Sequence, residues 1–546
     1  MKKKYIYQIL AILSLGLGLC SCSDGFLKEY SQDLARVQSV DDLNELLVGD
    51  CFLPKGYYSI DYSTLVCENP NYAILHFMGD ELQENSQLFN DPNSGNNSFR
   101  KEYYPYFTWQ KDTYLDIEGK STNETAENKF WSLGYEKINN CNMVLDAAEQ
   151  LNVSSDEEQM RLRKVKGEAY FMRAFYYLTL ANLYGKPYNP QTAETEPAVP
   201  IKTSANVEDK QYDRASVAAV YQQIVDDLAA SENCFSNTSE PTSIYHAGME
   251  AVYILRSRVA LYMQDWQTAA DYAKKALDKN SYLYDLSALS ADEYPMSKNN
   301  KEVVYSNGSS CLGNILYEKP KKNDDWDDYS PTWYISDQLY ALFGDNDYRK
   351  QTYLTTADDP YKQRPTYHKI DNSIASYGKY KEVSDVFSIR TAEAYLNVSE
   401  ALAQLGQEAD ACVYLNKLRQ SRIQGAEPVQ LSGDNLVSFI REERQRELFL
   451  EGHRWFDLRR YTVDAKYPYS KTIEHTYTYY AKDADYNYTA KKIDRYRLEK
   501  NDAAYTLDIP KKVKDFQPSI GSNERPVRNI ISSSERTDDG ENDEYE

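Results

Sequence analysis

The stretch AYFMRAFYYLTLANLYGKPY, residues 169–188, decides how this chain is read. Ala169, Met172, Phe175, Tyr176 and Thr179 recur at helical spacing, and Val165 extends the series backwards. Several positions between them are apolar too, so a helix here has no single wet face and needs neighbours on more than one side. Upstream, Ser155 with Glu158 three residues later reads as a capping box. Downstream, Gly185 and Pro187 stop the run. At ~1.5 Å per residue the predicted helix is ~40 Å long, too long for a small bundle.

Two helix–turn–helix units lie further along. Residues 247–282 break at Gln264-Asp265, and Ala269, Ala270, Ala273 and Ala276 let the second helix lie close to the first. Residues 389–422 break at Gly406. Each is close to the ~34 residues of a tetratricopeptide repeat, and the first carries its W-x-x-A pattern loosely. Helices are also expected over 125–151, 216–231 and 434–461. Between these lies a different material. Residues 84–105 and 280–385 are rich in Asn, Asp, Gly, Ser, Tyr and Pro, with only a short helix at 336–344. Residues 461–506 hold partly alternating tyrosines and read as an irregular hairpin. The fold class is therefore mainly α: a tetratricopeptide-like helical-repeat scaffold with an irregular loop-rich lobe and minor short β-strands.

Composition narrows the function. The chain has 546 residues, 41% of them hydrophobic, enough for a large core. A net charge of −22 argues against nucleic acid, whose phosphates would be repelled. Part of that charge sits at 532–546, read as a disordered acidic tail. No later segment offers ~18 consecutive apolar residues, so no membrane-spanning helix is expected. The front end differs: Lys2, Lys3 and Lys4 precede an apolar run from Ile9 to Leu19. That layout resembles a bacterial lipoprotein signal, covering 1–21, with Cys22 as the lipidated first residue. Ser21 before Cys22 suits such a cleavage; Leu19 before Cys20 is bulky for it.

The other cysteines, Cys51, Cys67, Cys141, Cys234, Cys311 and Cys412, form no C-x-x-C pair, so no zinc site is expected, nor any other cofactor. Cys141 and Cys412 fall in helical segments and read as buried thiols. A Cys51–Cys67 disulfide stays open. Tyrosine, with 50 residues, is the unusual count; a ring with a polar tip suits wet interfaces and sugars.

Catalytic motifs are absent from the sequence. Glu443 and Glu447 sit four apart on one helical face in REERQREL, in register with Arg444, Arg446 and Arg454. They read as a structural ion-pair network rather than the acid and base of glycoside hydrolysis. His453 reads as structural. The acidic clusters at 323–328 and 345–350 lack the spacing of a calcium loop and read as solvated turns.

Binding residues are sought in the aromatic loops, because sugars offer flat C–H faces ringed by hydroxyls. Trp326, Tyr329, Trp333 and Tyr334 stand among carboxylates, and Phe89 stands with Asn90 and Asp91. Trp333 could equally anchor the element that follows it, and Phe89 could fill a local core. Trp109 is assigned to the core.

The quoted helix, with its R-A-x-x-Y-x-x-L…Y-G-x-x-P run, resembles the SusD/RagB-like outer-membrane lipoproteins of Bacteroidetes. CSDGFL, FWSLGYEKINNCN, YQQIVDDL, AEAYLNVSEALAQLG, LNKLRQSR and REERQRELFLEGHRWFDLRR follow in family order, and YTLDIP resembles a closing strand. The resemblance implies one domain over 22–546, with halves near 22–240 and 241–531. It also implies a lipid-anchored protein on the outer face of the outer membrane. Such a protein captures oligosaccharide for a SusC-like TonB-dependent barrel transporter, through loops in the two aromatic regions. Alternatives are a peptide ligand or a protein-interaction scaffold; an enzyme is supported least.

Overall fold

The computed structural model describes residues 37–53, 57–58, 65–66, 73–86, 99–121, 125–206, 208–289, 293–308, 310, 312, 316, 333–356, 365–370, 383–482 and 488–535. In chain order the helices are α1 (Val40–Leu46), α2 (Ile74–Phe77), α3 (Phe99–Phe107), α4 (Thr125–Gln150), α5 (Asp156–Tyr184), α6 (Val217–Phe235), α7 (Met249–Tyr262) and α8 (Trp266–Lys279). They continue with α9 (Asp337–Tyr340), α10 (Arg349–Thr352), α11 (Thr391–Gln404), α12 (Glu408–Gln420), α13 (Gly433–Leu448), α14 (Arg454–Thr462) and α15 (Lys511–Phe516). The strands are β1 (Tyr57–Tyr58), β2 (Leu65–Val66), β3 (Leu82–Glu84), β4 (Val303–Ser306), β5 (Trp333–Ile335), β6 (Leu354–Thr356), β7 (Pro365–Tyr367), β8 (Ser388–Arg390), β9 (Ile473–Lys482), β10 (Tyr488–Leu498) and β11 (Ser532–Glu535).

The quoted stretch lies in α5, which is buried on every side from Phe171 to Tyr184. Ser155 caps its N-terminus, Oγ accepting from the Glu158 N–H, but the expected box is not closed through the backbone: the Glu158 carboxylate accepts from Ser155 Oγ instead. Helices α4 and α6 pack along α5, and the pairs α7/α8 and α11/α12 stack beyond them through α8 against α11. The turns that close both pairs need left-handed backbone, supplied by Gln264 at φ 61° and Gly406 at φ 77°. Inside α7/α8 the four alanines named above are all buried.

The sheets are small and antiparallel: β1–β2, β3–β5, β4–β8, β6–β7 and β11–β10–β9. The tyrosine-rich hairpin is real, with a bulge between Ala490 and Lys492. Three expectations give way here. The tail expected to be disordered from 532 begins with β11, which pairs along β10; residues 536–546 lie outside the described residues. YTLDIP forms no strand: Ala503–Tyr505 is a 3-10 turn, and Leu507 N–H caps the end of α5 by donating to the Leu183 carbonyl at 2.9 Å. The helix expected over 434–461 is two helices, because Leu450 (φ 54°) and Gly452 (φ 76°) turn the chain, and Leu450 N–H donates to Glu81.

The ion-pair network is larger than its helix; of the arginines expected in it, Arg446 pairs with Glu443, and Arg444 and Arg454 do not join Glu443 or Glu447. Glu447 accepts from Arg349, Arg390 and Arg422 at 3.0–3.1 Å, and Glu443 pairs with Arg349 and Arg446. Arg444 turns instead to Asp457 and Arg454 to Asp80, each at 2.7 Å. The register along one helix placed these charges together, but partners from α10, β8 and the end of α12 reach in and win them. Asp347 also belongs to this buried set, against Arg349, so the 345–350 cluster is not simply a solvated turn. Cys412 is only half-buried, whereas Cys51, Cys141 and Cys234 are buried free thiols. Cys51 lies against Cys141; Cys67 and Cys311 are outside the described residues.

Candidate functional site

The short ladder β3–β5 organises the loop-rich lobe. Leu82 pairs with Ile335, Gln83 with Tyr334 and Glu84 with Trp333. Because the strands are antiparallel, the end of β3 and the start of β5 are neighbours. The chain therefore leaves toward Phe89 and arrives from Trp326 through adjacent positions, although the two segments are more than two hundred residues apart.

That root is heavily braced. Arg100, at the start of α3, forms an ion pair with Glu84 and donates to the Thr478 carbonyl in β9. Thr478 Oγ1 donates to the other Glu84 oxygen at 2.8 Å. The Arg100 guanidinium lies over the Tyr477 ring at 3.9 Å and the Tyr480 ring at 5.2 Å. Burial works against its charge, but Glu84 outweighs that and raises its pKa above the ordinary value. Asn85 Nδ2 donates to Tyr334 Oη at 3.1 Å, and Tyr480 Oη donates to the Asn85 carbonyl at 3.1 Å. A helix start, two strands of one ladder and the hairpin thus meet at this end of β3–β5.

The sequence-selected residues divide accordingly. Trp333 is 1% exposed, wedged against Phe77 at 4.5 Å and Phe107 at 5.9 Å, and Tyr334 is 3% exposed. Neither offers a face to a ligand: every residue of β5 is buried, so the alternation that normally leaves one side wet is lost. Both are corrected to core residues. Trp109 is core as expected, its Nε1 donating to the Met78 carbonyl at 2.9 Å. Trp326, Tyr329, Phe89, Asn90 and Asp91 lie outside the described residues, as does Cys22. Sequence reading missed Glu84, Arg100 and Tyr480. Only Tyr480 carried a signal, in the alternating HTYTYYAK run.

Glu443 and Glu447 of α13 are unsuited to acid–base chemistry. Glu443 and Glu447 have no exposed surface. Burial alone would raise their pKa values, but Arg349 and Arg446 bring Glu443 down to about 2, and Arg422, Arg390 and Arg349 hold Glu447 well below the carboxylate range. Glycoside hydrolysis needs one carboxyl kept protonated beside a cleft. His453 is buried among cations and stays neutral, and His76 is closed off against Asp385 at 2.8 Å.

Stacked helix pairs beside a braced β3–β5 ladder define a helical-repeat scaffold protein. Two family profiles cover most of it. One, described as "Starch-binding associating with outer membrane", matches residues 41–261; the other, "SusD family", matches 291–524. SusD-like protein P2 of Formosa agariphila is 24% identical over 373 residues, 61% of this chain and 71% of that protein. A SusD superfamily protein of Bacteroides thetaiotaomicron superimposes with a TM-score of 0.66 at 21% identity, over 89% of this chain and 100% of that one. Surface glycan-binding protein A of Bacteroides uniformis gives 0.60 at 15% identity, over 88% and 99%. The chain belongs to the SusD/RagB-like family.

Proposed function

We propose that this protein is a lipid-anchored oligosaccharide-binding subunit of a TonB-dependent importer at the outer membrane. Residues 1–21 would be the signal, Cys22 the anchor and the remainder one ligand-binding domain. The observation that carries the reading is the β3–β5 register, which brings the roots of the two aromatic segments together within a chain of this family. The names of the matching family and of the Bacteroides uniformis protein refer to starch and glycan, which supports a carbohydrate ligand. Trp326 and Tyr329 from one segment, with Phe89, Asn90 and Asp91 from the other, would supply aromatic planes and polar edges. Trp333 and Tyr334 would hold the root without touching ligand. The transporter would be a SusC-like barrel that the lipid anchor keeps at high local concentration.

A glycan array probed with the soluble chain from Ser23 onward, with a peptide library alongside, tests this. Oligosaccharide capture that falls about thirtyfold in Trp326→Ala, a loss of ~2 kcal/mol, with melting temperature unchanged, is the expected result. Peptide capture without glycan capture overturns it.

A further inference from the structure

The β3–β5 ladder has a second end. Asp80 lies just before β3 and Gln338 in α9 just after β5, so the end opposite the loops opens on a separate cleft of about 250 Å³. Arg454 from α14, Gln445 from α13, Tyr469 and Lys471 are among the residues of its wall. We propose that this cleft binds one carboxylate-bearing sugar residue, of the uronic acid type, distinct from the surface at the loops. The sugar part of this proposal rests on the glycan-binding reading above; the carboxylate part rests on the cleft's own charges.

Those charges do not balance. Asp80 is 5% exposed and receives two cations: Arg454 Nε and one terminal nitrogen at 2.7 and 2.8 Å, and Lys471 Nζ at 2.7 Å. Two positive groups on one carboxylate leave about one charge unmatched in a poorly solvated place, where an unmatched charge is costly. Among the described residues no other buried carboxylate pairs with Arg454 or Lys471. Arg441, also on the wall, is matched by Asp464 at 2.7 Å and approached by Glu400 at 3.7 Å. Glu442 is also on the wall, but its side chain is 56% exposed and reaches Arg446 at 3.8 Å, so water screens its charge from the buried cluster. Glu81, next to Asp80 in the chain, spends one oxygen on Leu450 N–H. Its burial pushes its pKa up to about 8, so it is largely uncharged at neutral pH. His475 is stacked between Phe107 and Trp109, and burial brings it down to about 4, so it adds no positive charge.

Donors remain for an entering carboxylate. Arg454 has a second terminal nitrogen that makes no bond to Asp80, and Lys471 has its third ammonium hydrogen beyond its bonds to Asp80 and Gln338. A carboxylate there would turn two cations on one anion into a two-and-two cluster. The Gln445 and Gln338 amides can serve ring hydroxyls, and Tyr469, 42% exposed, offers a ring edge or face at the mouth. The space fits one ring rather than a chain, so the cleft would read a terminal or branching acidic unit.

The test is calorimetric titration of the soluble chain with methyl β-glucuronide, methyl β-glucoside and acetate, repeated with Lys471→Gln, Tyr469→Ala and Gln445→Ala. The glucuronide should bind at least about tenfold more tightly than either control, because each lacks one half of the recognition. Lys471→Gln should weaken it about tenfold or more, and Tyr469→Ala and Gln445→Ala should weaken it measurably. Equal binding of the glucoside overturns the charge argument, and equal binding of acetate overturns the sugar. Binding that is unchanged in all three variants, or absent altogether, overturns the separate site. Oligosaccharide capture in the array remains an independent result in each case.

Discussion

A single buried carboxylate shows how the α13 network works. Glu447 receives three guanidinium groups and the Tyr353 hydroxyl, and nothing around it is wet. Replacing it leaves Arg349, Arg390 and Arg422 short of a counter-charge in the core. Glu447→Gln should therefore lower unfolding free energy by ~3–5 kcal/mol, read as a fall in urea midpoint. Glu442→Gln, on the exposed side of the same helix, should cost no more than ~1 kcal/mol. The two tryptophans separate in the same way. Trp333→Ala should cost ~3–5 kcal/mol of stability, and its effect on ligand should follow only from loss of the root. An unchanged melting temperature in Trp333→Ala would contradict its place between Phe77 and Phe107.

Packing between elements can reverse what helix propensity favours. Gly167 lies inside α5, where a glycine is ~1 kcal/mol worse than alanine by propensity. A Cβ there would meet the Phe235 ring at 2.9 Å and Cys234 Cβ at 3.2 Å, both from the end of α6. The close approach outweighs propensity, so Gly167→Ala should destabilise by ~1–3 kcal/mol. Gly406 is the contrast. Nothing crowds its Cβ position, but φ is 77°, so Gly406→Ala should cost about 1 kcal/mol through backbone strain alone. Denaturant titration of both variants distinguishes these causes when each is combined with Phe235→Leu. Relief of crowding should shrink the Gly167→Ala penalty and leave that of Gly406→Ala untouched.

Across the whole molecule, stability should depend on pH in a direction fixed by these burials. Glu443 has a folded pKa of about 2 against an ordinary 4.5, because Arg349 and Arg446 outweigh its burial; Glu451 and Asp457 are lowered by their own cations. A depressed carboxylate binds fewer protons when folded, so its contribution is present above about 4.5 and is lost as pH falls toward about 2. Glu81 runs the other way: its folded pKa near 8 lies above its ordinary 4.5, so stability is lost as pH rises between them. Melting temperature against pH should fall steeply on the acid side, and Glu81→Gln should flatten the decline toward pH 8. At the same scale, Cys22→Ala should move a folded protein that still binds ligand from the membrane to the soluble fraction, while Cys20→Ala should leave it anchored. Retention of the Cys22→Ala protein on membranes would overturn the anchor.

Periodicity and spacing determined the helical scaffold from sequence alone. Residues 155–184 could be nothing but a helix enclosed by others, and the breaks at Gln264 and Gly406 marked two pairs, because these signals act within a few residues of one another. The motif order from Cys22 onward also carried the family resemblance. What the sequence left open depends on contacts between distant segments. Tertiary structure decided that Trp333 is core, since its burial comes from Phe77 and Phe107. It decided that Glu447 faces Arg349, Arg390 and Arg422 rather than its neighbours on the helix, because a buried charge takes whichever partners the fold brings within reach. It also placed Asp80 against Arg454 and Lys471, almost four hundred residues away, and so built a cleft that no local pattern announces.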